Sequence, residues 1–203
     1  GTYTIAPQFY CTPVLLIANI NGVSGSPITF KAYQDLAGKY ETVEIDAANT
    51  QDRAAWMHDS SYIVIDGLSF TGAPRQGLLL GGEASCAGGG VNNVIVKNSI
   101  AHDNGVLDTW YGGFAVDVVC RSSHDIIFDR SDSYNNGDGF RIGPHDPHYV
   151  ISTAPYNVLI SYSFSHDNFK GYGNSNGFIF NNVYNSKMSH SVAFRNPDTG
   201  FGS

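Results

Sequence analysis

The sequence predicts an all-β fold, a parallel β-helix of roughly six to seven coils that forms a single domain over residues 1–203. Three observations predict it. An asparagine recurs at spacings of 32, 32 and 28 residues, a Gly-Phe pair follows each asparagine, and apolar and polar residues alternate before it. Repeats of this length cannot bury an apolar face alone, so they are expected to stack. The asparagines are Asn104, Asn136, Asn168 and Asn196, and the pairs are Gly113-Phe114, Gly139-Phe140, Gly177-Phe178 and Gly200-Phe201.

Each repeat contains a strand with one buried side and one solvent-facing side. When the repeats are aligned on the asparagine, apolar residues coincide at Val96, Phe128, Ile160 and Met188, and small residues coincide at Ala101, Ser133, Ser165 and Ala193. Alternation with a period of two indicates strands, and no segment has the sustained apolar stripe of an amphipathic helix. In such a coil we expect the asparagines to point inward and to hydrogen-bond the backbone of neighbouring coils at a bend.

The same pattern continues upstream with less regularity. The matching segments are 1–5, 27–33, 42–45, 54–57, 61–70 and 77–80. A β-sandwich predicts hairpin dipeptides every 8–12 residues or so, and a β-propeller predicts about four strands per repeat, so both fit the sequence less well. The sequence stops in the middle of a repeat without a cap, from which we expect it to be part of a longer chain.

Charge and cysteine content limit the function. A formal net charge of -7 and a pI near 5.3 argue against binding to nucleic acid or to an acidic membrane surface, and no apolar run reaches membrane-spanning length. Cys86 and Cys120 lie one coil apart, which fits a disulfide in a secreted protein and leaves Cys11 unpaired. Three buried thiols that pack as small apolar residues are an equally good interpretation.

The strand that carries each Gly-Phe pair is expected to present three columns of side chains on its outer side. The first is Gln76, Gly112, Asp138, Asn176 and Thr199, the second is Leu79, Ala115, Arg141, Ile179 and Gly202, and the third is Gly81, Asp117, Gly143, Asn181 and Ser203. Because neighbouring coils are about 4.8 Å apart, we expect Asp117, Asp138 and Arg141 to gather in one shallow patch on a solvent-exposed face.

Three longer insertions, 105–112, 143–156 and 169–176, flank this patch and are expected to form a binding groove. The predicted substrate-binding residues are Trp110, Tyr111, Lys170, Tyr172, Asn176 and Asn181. Such a groove suits an acidic polysaccharide, because carboxylates can hold a bridging Ca²⁺ and Arg can clamp a uronate.

On this interpretation Asp117 and Asp138 are the candidate metal ligands, and Arg141 is the candidate base for the proton next to the uronate carboxylate. The alternative is that both aspartates are ordinary turn and solvent-face residues, with Arg141 paired to one of them.

The whole sequence resembles the pectate-lyase-like superfamily, whose members are right-handed parallel β-helices. Residues 1–5, 27–33 and 62–68 are similar to the opening coils of its polysaccharide lyases. Residues 135–141, Asn-Asn-Gly-Asp-Gly-Phe-Arg, are similar to the calcium-binding stretch of family-nine pectate lyases, where an Asp-Asp-Gly-Phe-Asp run supplies ligands. The resemblance implies a secreted or cell-surface lyase that cleaves a uronate polysaccharide by β-elimination with the help of Ca²⁺.

The sequence departs from the family at several of these positions. Only Asp138 of the calcium-binding stretch is retained, because Gly137 and Arg141 replace the flanking acids. The catalytic lysine of the family would fall near Ile179. These departures favour an alternative function, a non-catalytic β-helix that acts as a carbohydrate-binding, adhesin-like or structural surface module.

A second resemblance involves residues 142–146, Ile-Gly-Pro-His-Asp, which are similar to the Asp-Pro-His-Asp motif of mannuronan epimerases. It implies a uronate C5 epimerase as a further alternative, with His145 and Asp146 as the acid/base residues. The competing interpretation is a turn, since Gly143-Pro144 and Asp146-Pro147 are loop dipeptides. The other histidines are not expected to be ligands, because His102 and His166 share a column with Tyr134 and Phe194 that indicates ring stacking.

Overall fold

The computed structural model describes residues 12–82, 88–105, 112–117, 122–143, 154–169 and 175–202. These residues form nineteen strands and no helix. In chain order the strands are β1 Pro13–Ala18, β2 Ile28–Lys31, β3 Val43–Asp46, β4 Arg53–His58, β5 Ser61–Asp66, β6 Leu68–Thr71, β7 Leu78–Leu80, β8 Asn92–Lys97, β9 Ile100–His102, β10 Gly112–Val116, β11 His124–Asp129, β12 Asp132–Tyr134, β13 Asp138–Ile142, β14 Tyr156–Ser161, β15 Phe164–His166, β16 Phe178–Phe180, β17 Lys187–Ser189, β18 Val192–Phe194 and β19 Phe201–Gly202.

Three parallel sheets form the sides of one coil. Sheet A has the order β1-β4-β7-β10-β13-β16-β19, sheet B has the order β17-β14-β11-β8-β5-β2, and sheet C has the order β18-β15-β12-β9-β6-β3. Each strand pairs in parallel with the strand three places along the chain, so each coil contributes one strand to each sheet. The predicted parallel β-helix of six to seven coils is therefore confirmed. No helix in the described ranges has the length and apolarity to cross a bilayer.

The core fills the space between the three sheets. Phe114, Phe140 and Phe178 of sheet A stack with ring centroids 5.0 Å apart at each step. Phe128 of sheet B contacts the first two of these rings at 5.6 Å. All four side chains are fully buried. Because the same side chain recurs at the same place in successive coils, the core is a set of columns that run along the axis.

The inward asparagines form a continuous ladder at the corner between sheets C and A. The Oδ1 atom of Asn136 accepts a hydrogen bond from the backbone N of Asn104 at 3.0 Å, and Asn168 and Asn196 repeat the contact in the next coils. The Nδ2 atom of Asn136 donates to the carbonyl of Ala101 at 2.9 Å. The ladder thus satisfies buried backbone groups where the chain turns, as the sequence predicted.

Residues with positive φ mark the corners of the coil, a feature that the sequence did not reveal. The corner between sheets B and C carries Gly67, Asn98, Arg130, Tyr162 and His190, and the corner before the asparagine ladder carries Gly72, Asp103, Asn135, Asp167 and Arg195, all with φ between 47° and 77°. A single left-handed residue at such a corner turns the chain from one sheet into the next. This conformation costs free energy for a residue other than Gly, Asn or Asp, so its recurrence reflects the constraint of stacking.

The rings on the outer side of sheet C stack as the sequence predicted. His102, Tyr134, His166 and Phe194 follow one another with centroid separations of 5.1, 5.3 and 4.6 Å and interplanar angles of 5°, 14° and 9°. The Nε2 atom of His166 also lies 3.3 Å from Oδ1 of Asp132. These histidines are therefore packing residues that are held by neighbouring carboxylates.

Strand β1 was missed from the sequence. Residues 13–18 lie outside every segment that matched the repeat, yet the strand pairs with β4 over its length, with Leu16 opposite Trp56. Residues 1–5, which were predicted to belong to a further coil, lie outside the described residues.

Candidate functional site

The outer face of sheet A holds the columns that the sequence predicted. Ala115 pairs with Leu79 on one side and with Arg141 on the other, and Arg141 in turn pairs with Ile179. Gly112 pairs with Asp138. The register is the predicted one because the pairs at Gly113, Gly139 and Gly177 place the glycine against the asparagine ladder and the following phenylalanine in the core, which fixes the flanking residues on the outer side.

Asp138 is the centre of this face. Its Oδ1 atom accepts hydrogen bonds from the backbone N of Asn176 at 3.0 Å and from Nδ2 of Asn176 at 3.1 Å. Its Oδ2 atom accepts a hydrogen bond from an Nη atom of Arg141 at 3.2 Å. Thr199 in the following coil donates its hydroxyl hydrogen to Oδ1 of Asn176. The first column is thus a hydrogen-bonded polar row over three coils.

The polar side chains on the outer face of sheet A are buried, which corrects the prediction of an exposed face. Asp138 is 1% exposed and Arg141 is 3% exposed, and Asp117 and Asn176 are also buried. In the second column, Trp56, Leu79 and Ala115 form a hydrophobic cluster of their own, and Ala115 pairs with Arg141. Alternation along a strand shows which side faces outward but not whether something covers it.

Burial also affects the ionisation of the site. It raises the pKa of the Asp138 carboxyl above its ordinary value, against the opposing effects of the Asn176 hydrogen bonds and the Arg141 guanidinium. The arrangement of Asp138 and Arg141 is therefore that of a buried ion pair with additional hydrogen-bond donors, the geometry in which removal of either partner is strongly destabilising.

The described residues do not fit a resident calcium ion. Ca²⁺ takes roughly six to eight oxygen ligands, whereas both carboxylate oxygens of Asp138 are already engaged by N–H donors. Asp117 lies two residues beyond Ala115, the register partner of Arg141, so a guanidinium stands within the proposed ligand set. In the part of the chain that the structure describes, no three His, Cys, Asp or Glu side chains group together to hold a metal.

Several predicted site residues lie outside the described ranges. They are Trp110, Tyr111, His145, Asp146, Lys170 and Tyr172, together with the three cysteines Cys11, Cys86 and Cys120. Their proposed roles stay predictions. Asn181 is described: it follows β16, is half-buried, and donates its backbone N–H to the carbonyl of Ile142 at 2.8 Å.

The His-Asp dipeptides of the chain share one geometry. In His58-Asp59, His102-Asp103, His124-Asp125 and His166-Asp167, the histidine Nδ1 atom lies 2.7–2.9 Å from the carboxylate of the next residue. The aspartate has a φ between 48° and 59° in all four. The dipeptide therefore places its aspartate in a left-handed conformation in each described case.

Sequence reasoning matched residues 54–57 to the repeat but did not extend the outer columns to β4, which contributes the first part of this face. The backbone N of Ala54 donates to the carbonyl of Gln76, which belongs to the first column. Arg53, one residue earlier, is therefore level with Gln76 and extends the first column by one coil. The Arg53 guanidinium lies 5.6 Å from the Trp56 ring, and Nε1 of Trp56 donates to the carbonyl of Gly81 at 2.8 Å. The sequence pattern that could have revealed the register of this strand is the side-chain alternation within residues 53–58. The irregular length of the first coils prevented its alignment with the later repeats.

A comparison with models of protein families gives no match. A comparison with curated proteins gives none either. Among solved structures, the crystal structure of pectate lyase Pel9A matches with a TM-score of 0.60 and 19% sequence identity over 93% of this chain. The chain spans about half the length of that protein, 52% of it. At this identity the likeness concerns the fold alone. The chain is a right-handed parallel β-helix with the architecture of this pectate lyase.

Proposed function

We propose that the chain is a secreted or cell-surface protein that acts on an acidic polysaccharide, as a lyase that cleaves a uronate chain by β-elimination. The observation that carries the proposal is the Asp138–Arg141 pair at the centre of the outer face of sheet A, in a fold shared with a pectate lyase. A buried, oriented guanidinium is a suitable partner for a uronate carboxylate, because its planar donors match both oxygens.

In the proposed reaction a base takes the proton on C5, a C4–C5 double bond forms, and the bond between C4 and the glycosidic oxygen breaks, with that oxygen taking up a proton from water to leave as a hydroxyl. Arg141 would stabilise the negative charge that develops on the carboxylate as the proton departs. This role suits Arg141 better than that of the base, because its guanidinium already donates to Asp138. His145, with Asp146 beside it, is the proposed proton acceptor. Trp110, Tyr111, Lys170, Tyr172, Asn176 and Asn181 are the proposed substrate-binding residues.

A second candidate function is a non-catalytic polysaccharide-binding module. The observation that favours it is the residue next to Arg141 in its column. Ile179 is apolar and only 7% exposed, where the family resemblance places a catalytic lysine. A site with Asp138 fully engaged and isoleucine instead of lysine at position 179 would hold a uronate without cleaving it.

The test is incubation with polygalacturonate and with alginate, each with and without Ca²⁺, while the absorbance of the unsaturated product is followed. We expect product from at least one polymer. The Arg141→Gln variant is expected to lose about 100-fold or more in rate, the typical effect of removing one charge-stabilising donor. Arg130→Gln is the matched control, because Arg130 is 59% exposed at another corner.

The outcomes separate the two functions. Absence of product together with retarded migration in gels that contain polygalacturonate or alginate would favour the binding module. Absence of both would exclude an acidic polysaccharide as the ligand. The circular dichroism spectrum and melting temperature of each variant establish that Arg141→Gln is folded before its rate is interpreted.

A further inference from the structure

The outer face of sheet B, unlike that of sheet A, is open and forms a groove. Its floor is a row of aliphatic side chains, one per coil, in direct register: Val64, Ile95, Ile127 and Leu159. Each is half-buried, whereas the residues on either side of it in the strand point into the core and are buried. The groove has a volume of about 450 Å³.

One wall of the groove is polar and equally regular. Two residues before each floor residue stand Tyr62, Asn93, Asp125 and Asn157, with φ values of 53°, 53°, 55° and 55°. The Nδ2 atom of Asn157 donates to Oδ1 of Asp125 at 2.9 Å, and Asn185 in the next coil donates to Oδ1 of Asn157 at 2.5 Å. This ladder uses one N–H and one lone pair of Asn157, which leaves a second N–H and a second lone pair for a ligand.

The end of the groove near the start of the chain is bounded by a tight turn. Val23 and Ser26 exchange backbone hydrogen bonds of 3.3 and 2.9 Å, and the turn and Pro27 line the groove beside Tyr62 and Val64. At the other end the floor column continues from Leu159 to Lys187. The groove therefore runs along the axis, and each coil repeats one aliphatic and one polar contact about every 4.8 Å.

We propose that this groove binds an uncharged glycan chain, extended along the axis of the β-helix. A pyranose ring has an apolar C–H face, which suits the aliphatic floor, and an edge of hydroxyls that donate and accept, which suits the amide and carboxylate wall. A linear glycan repeats the same apolar face and hydroxyl edge in each sugar unit. The groove likewise repeats one aliphatic and one polar contact in each coil. A hydrocarbon chain would leave the polar wall without partners.

Charge decides between a neutral and an acidic glycan. Among the described side chains that line the groove, Asp125 is the charged one and none is Lys or Arg, since Lys187 lies one coil beyond Leu159. Its hydrogen bond from Asn157 and its contact with His124 lower the pKa of the Asp125 carboxyl, so it is ionised at neutral pH. A polyuronate would meet this carboxylate on a chain whose net charge is -7, and like charges repel. The site is thus distinct in position and ligand from the outer face of sheet A.

The experiment is a calorimetric titration of the intact chain with cellohexaose, with a hexameric oligogalacturonate as the charged comparison. We expect cellohexaose to bind and the oligogalacturonate not to bind at this groove. The double variant Ile95→Thr/Ile127→Thr keeps β-branched residues in the strands while it removes the apolar floor. It is expected to weaken cellohexaose binding by about tenfold or more, from the apolar area lost.

Two further variants keep the test decisive. Asn157→Gly removes a wall amide at a position where φ is 55°, which glycine adopts without strain, and it is also expected to weaken binding. Ile100→Thr/Val192→Thr is the matched control on the outer face of sheet C, where both side chains are exposed, and it should leave binding unchanged. Melting temperatures show that each variant is folded.

Three results would overturn the proposal: no binding of cellohexaose to the unmodified chain, binding that survives both groove variants, or stronger binding of the oligogalacturonate that the groove variants abolish. A fourth contradicting result would come from sedimentation velocity: the unmodified chain is a dimer, and Ile95→Thr/Ile127→Thr is a monomer. The groove would then be an interface between two copies of the chain. Arg141→Gln should have no effect here, so failure of this proposal and failure of the proposed lyase are separable.

Discussion

At the scale of single residues, the buried polar groups have definite partners. Asn136 is fully buried, receives the backbone N–H of Asn104, and donates to Ala101 and Ser133. Asp138 is enclosed by Asn176 and Arg141. A buried polar atom that loses its partner costs the full penalty of its desolvation, so these residues should be sensitive to substitution in ways that their surface counterparts are not.

Replacement of Asn136 by alanine is expected to lower the free energy of unfolding by about 2 kcal/mol, because it leaves the Asn104 N–H buried without a partner. Urea denaturation monitored by circular dichroism measures the change. Asn92→Ala is the control: this side chain is half-buried outside the ladder, and the expected loss is about 0.5 kcal/mol. Equal losses in the two variants would contradict a special role for the ladder.

The raised pKa of Asp138 makes a pH-dependent contribution to stability. Since burial raises the pKa of this carboxyl in the folded state, the folded state binds its proton more tightly than the unfolded chain does. The contribution is fully present below the ordinary carboxyl pKa and is lost as the pH rises through the folded value. The difference in free energy of unfolding between the parent chain and Asp138→Asn should therefore fall as the pH is raised from below about 4 through the folded-state pKa of Asp138. The fall corresponds to the release of about one proton. A difference that rises over this range would mean that the Arg141 pair outweighs burial.

At the scale of elements, close contact between successive coils requires small residues where the Gly-Phe strands meet the asparagine ladder. A Cβ atom on Gly139 would lie 1.8 Å from Oγ of Ser165 and 2.4 Å from the carbonyl oxygen of Gly177. A Cβ atom on Gly200, the equivalent residue two coils later, would meet Ala193 at 3.2 Å. The glycines of this column therefore share a sequence position but differ in how tightly the neighbouring coil encloses them.

We expect Gly139→Ala to lose about 3 kcal/mol of stability, at the upper end of the cost of overpacking, because a carbonyl of the backbone has to move. Gly200→Ala should lose less than about 1 kcal/mol, since the nearest contact is a methyl group. Thermal unfolding of the two variants gives the comparison. A small effect at Gly139 would show that the coils can separate locally without disturbing the rest of the stack.

At the scale of the whole molecule, stability is distributed along the axis. The middle strands of sheet B bury Val94, Val96, Ile126 and Phe128 completely, whereas β17, β18 and β19 have half-buried or exposed side chains throughout. In a solenoid each coil contacts only its neighbours, so local stability follows local burial. The outer face of sheet A around Asp138 and the groove on sheet B both lie on the well-buried middle coils, which hold their residues in register.

Hydrogen exchange followed by mass spectrometry should resolve this gradient. Amides in β8, β11 and β14 are expected to exchange about 100-fold or more slowly than those in β17 to β19, because the latter open without unfolding the middle coils. The comparison is made within one sample, so conditions are matched. Equal protection across all coils would show that the molecule opens only as a unit.

The features that the sequence determined are those that repeat. The β-helix, the inward asparagines, the stacked rings at His102 and His166, and the column that joins Ala115, Arg141 and Ile179 were all predicted, because side-chain alternation and coil-to-coil register are encoded locally and then multiplied. Where the coils are irregular, as at β1 and Arg53, the repeat gave no register, and the strand and the residue were not identified from the sequence.

Only the tertiary structure decided which outer faces are covered. The alternation places Arg141 and Ile127 alike on an outer side, yet the first is 3% exposed and the second is half-buried beside an open groove. Burial of an outer face depends on packing between coils and on the segments that connect them, whose arrangement no single strand encodes. The left-handed corners have the same origin: Arg130 and Tyr162 adopt φ values of 47° and 50° because the stacked coils require a turn there, against the preference of the residue itself.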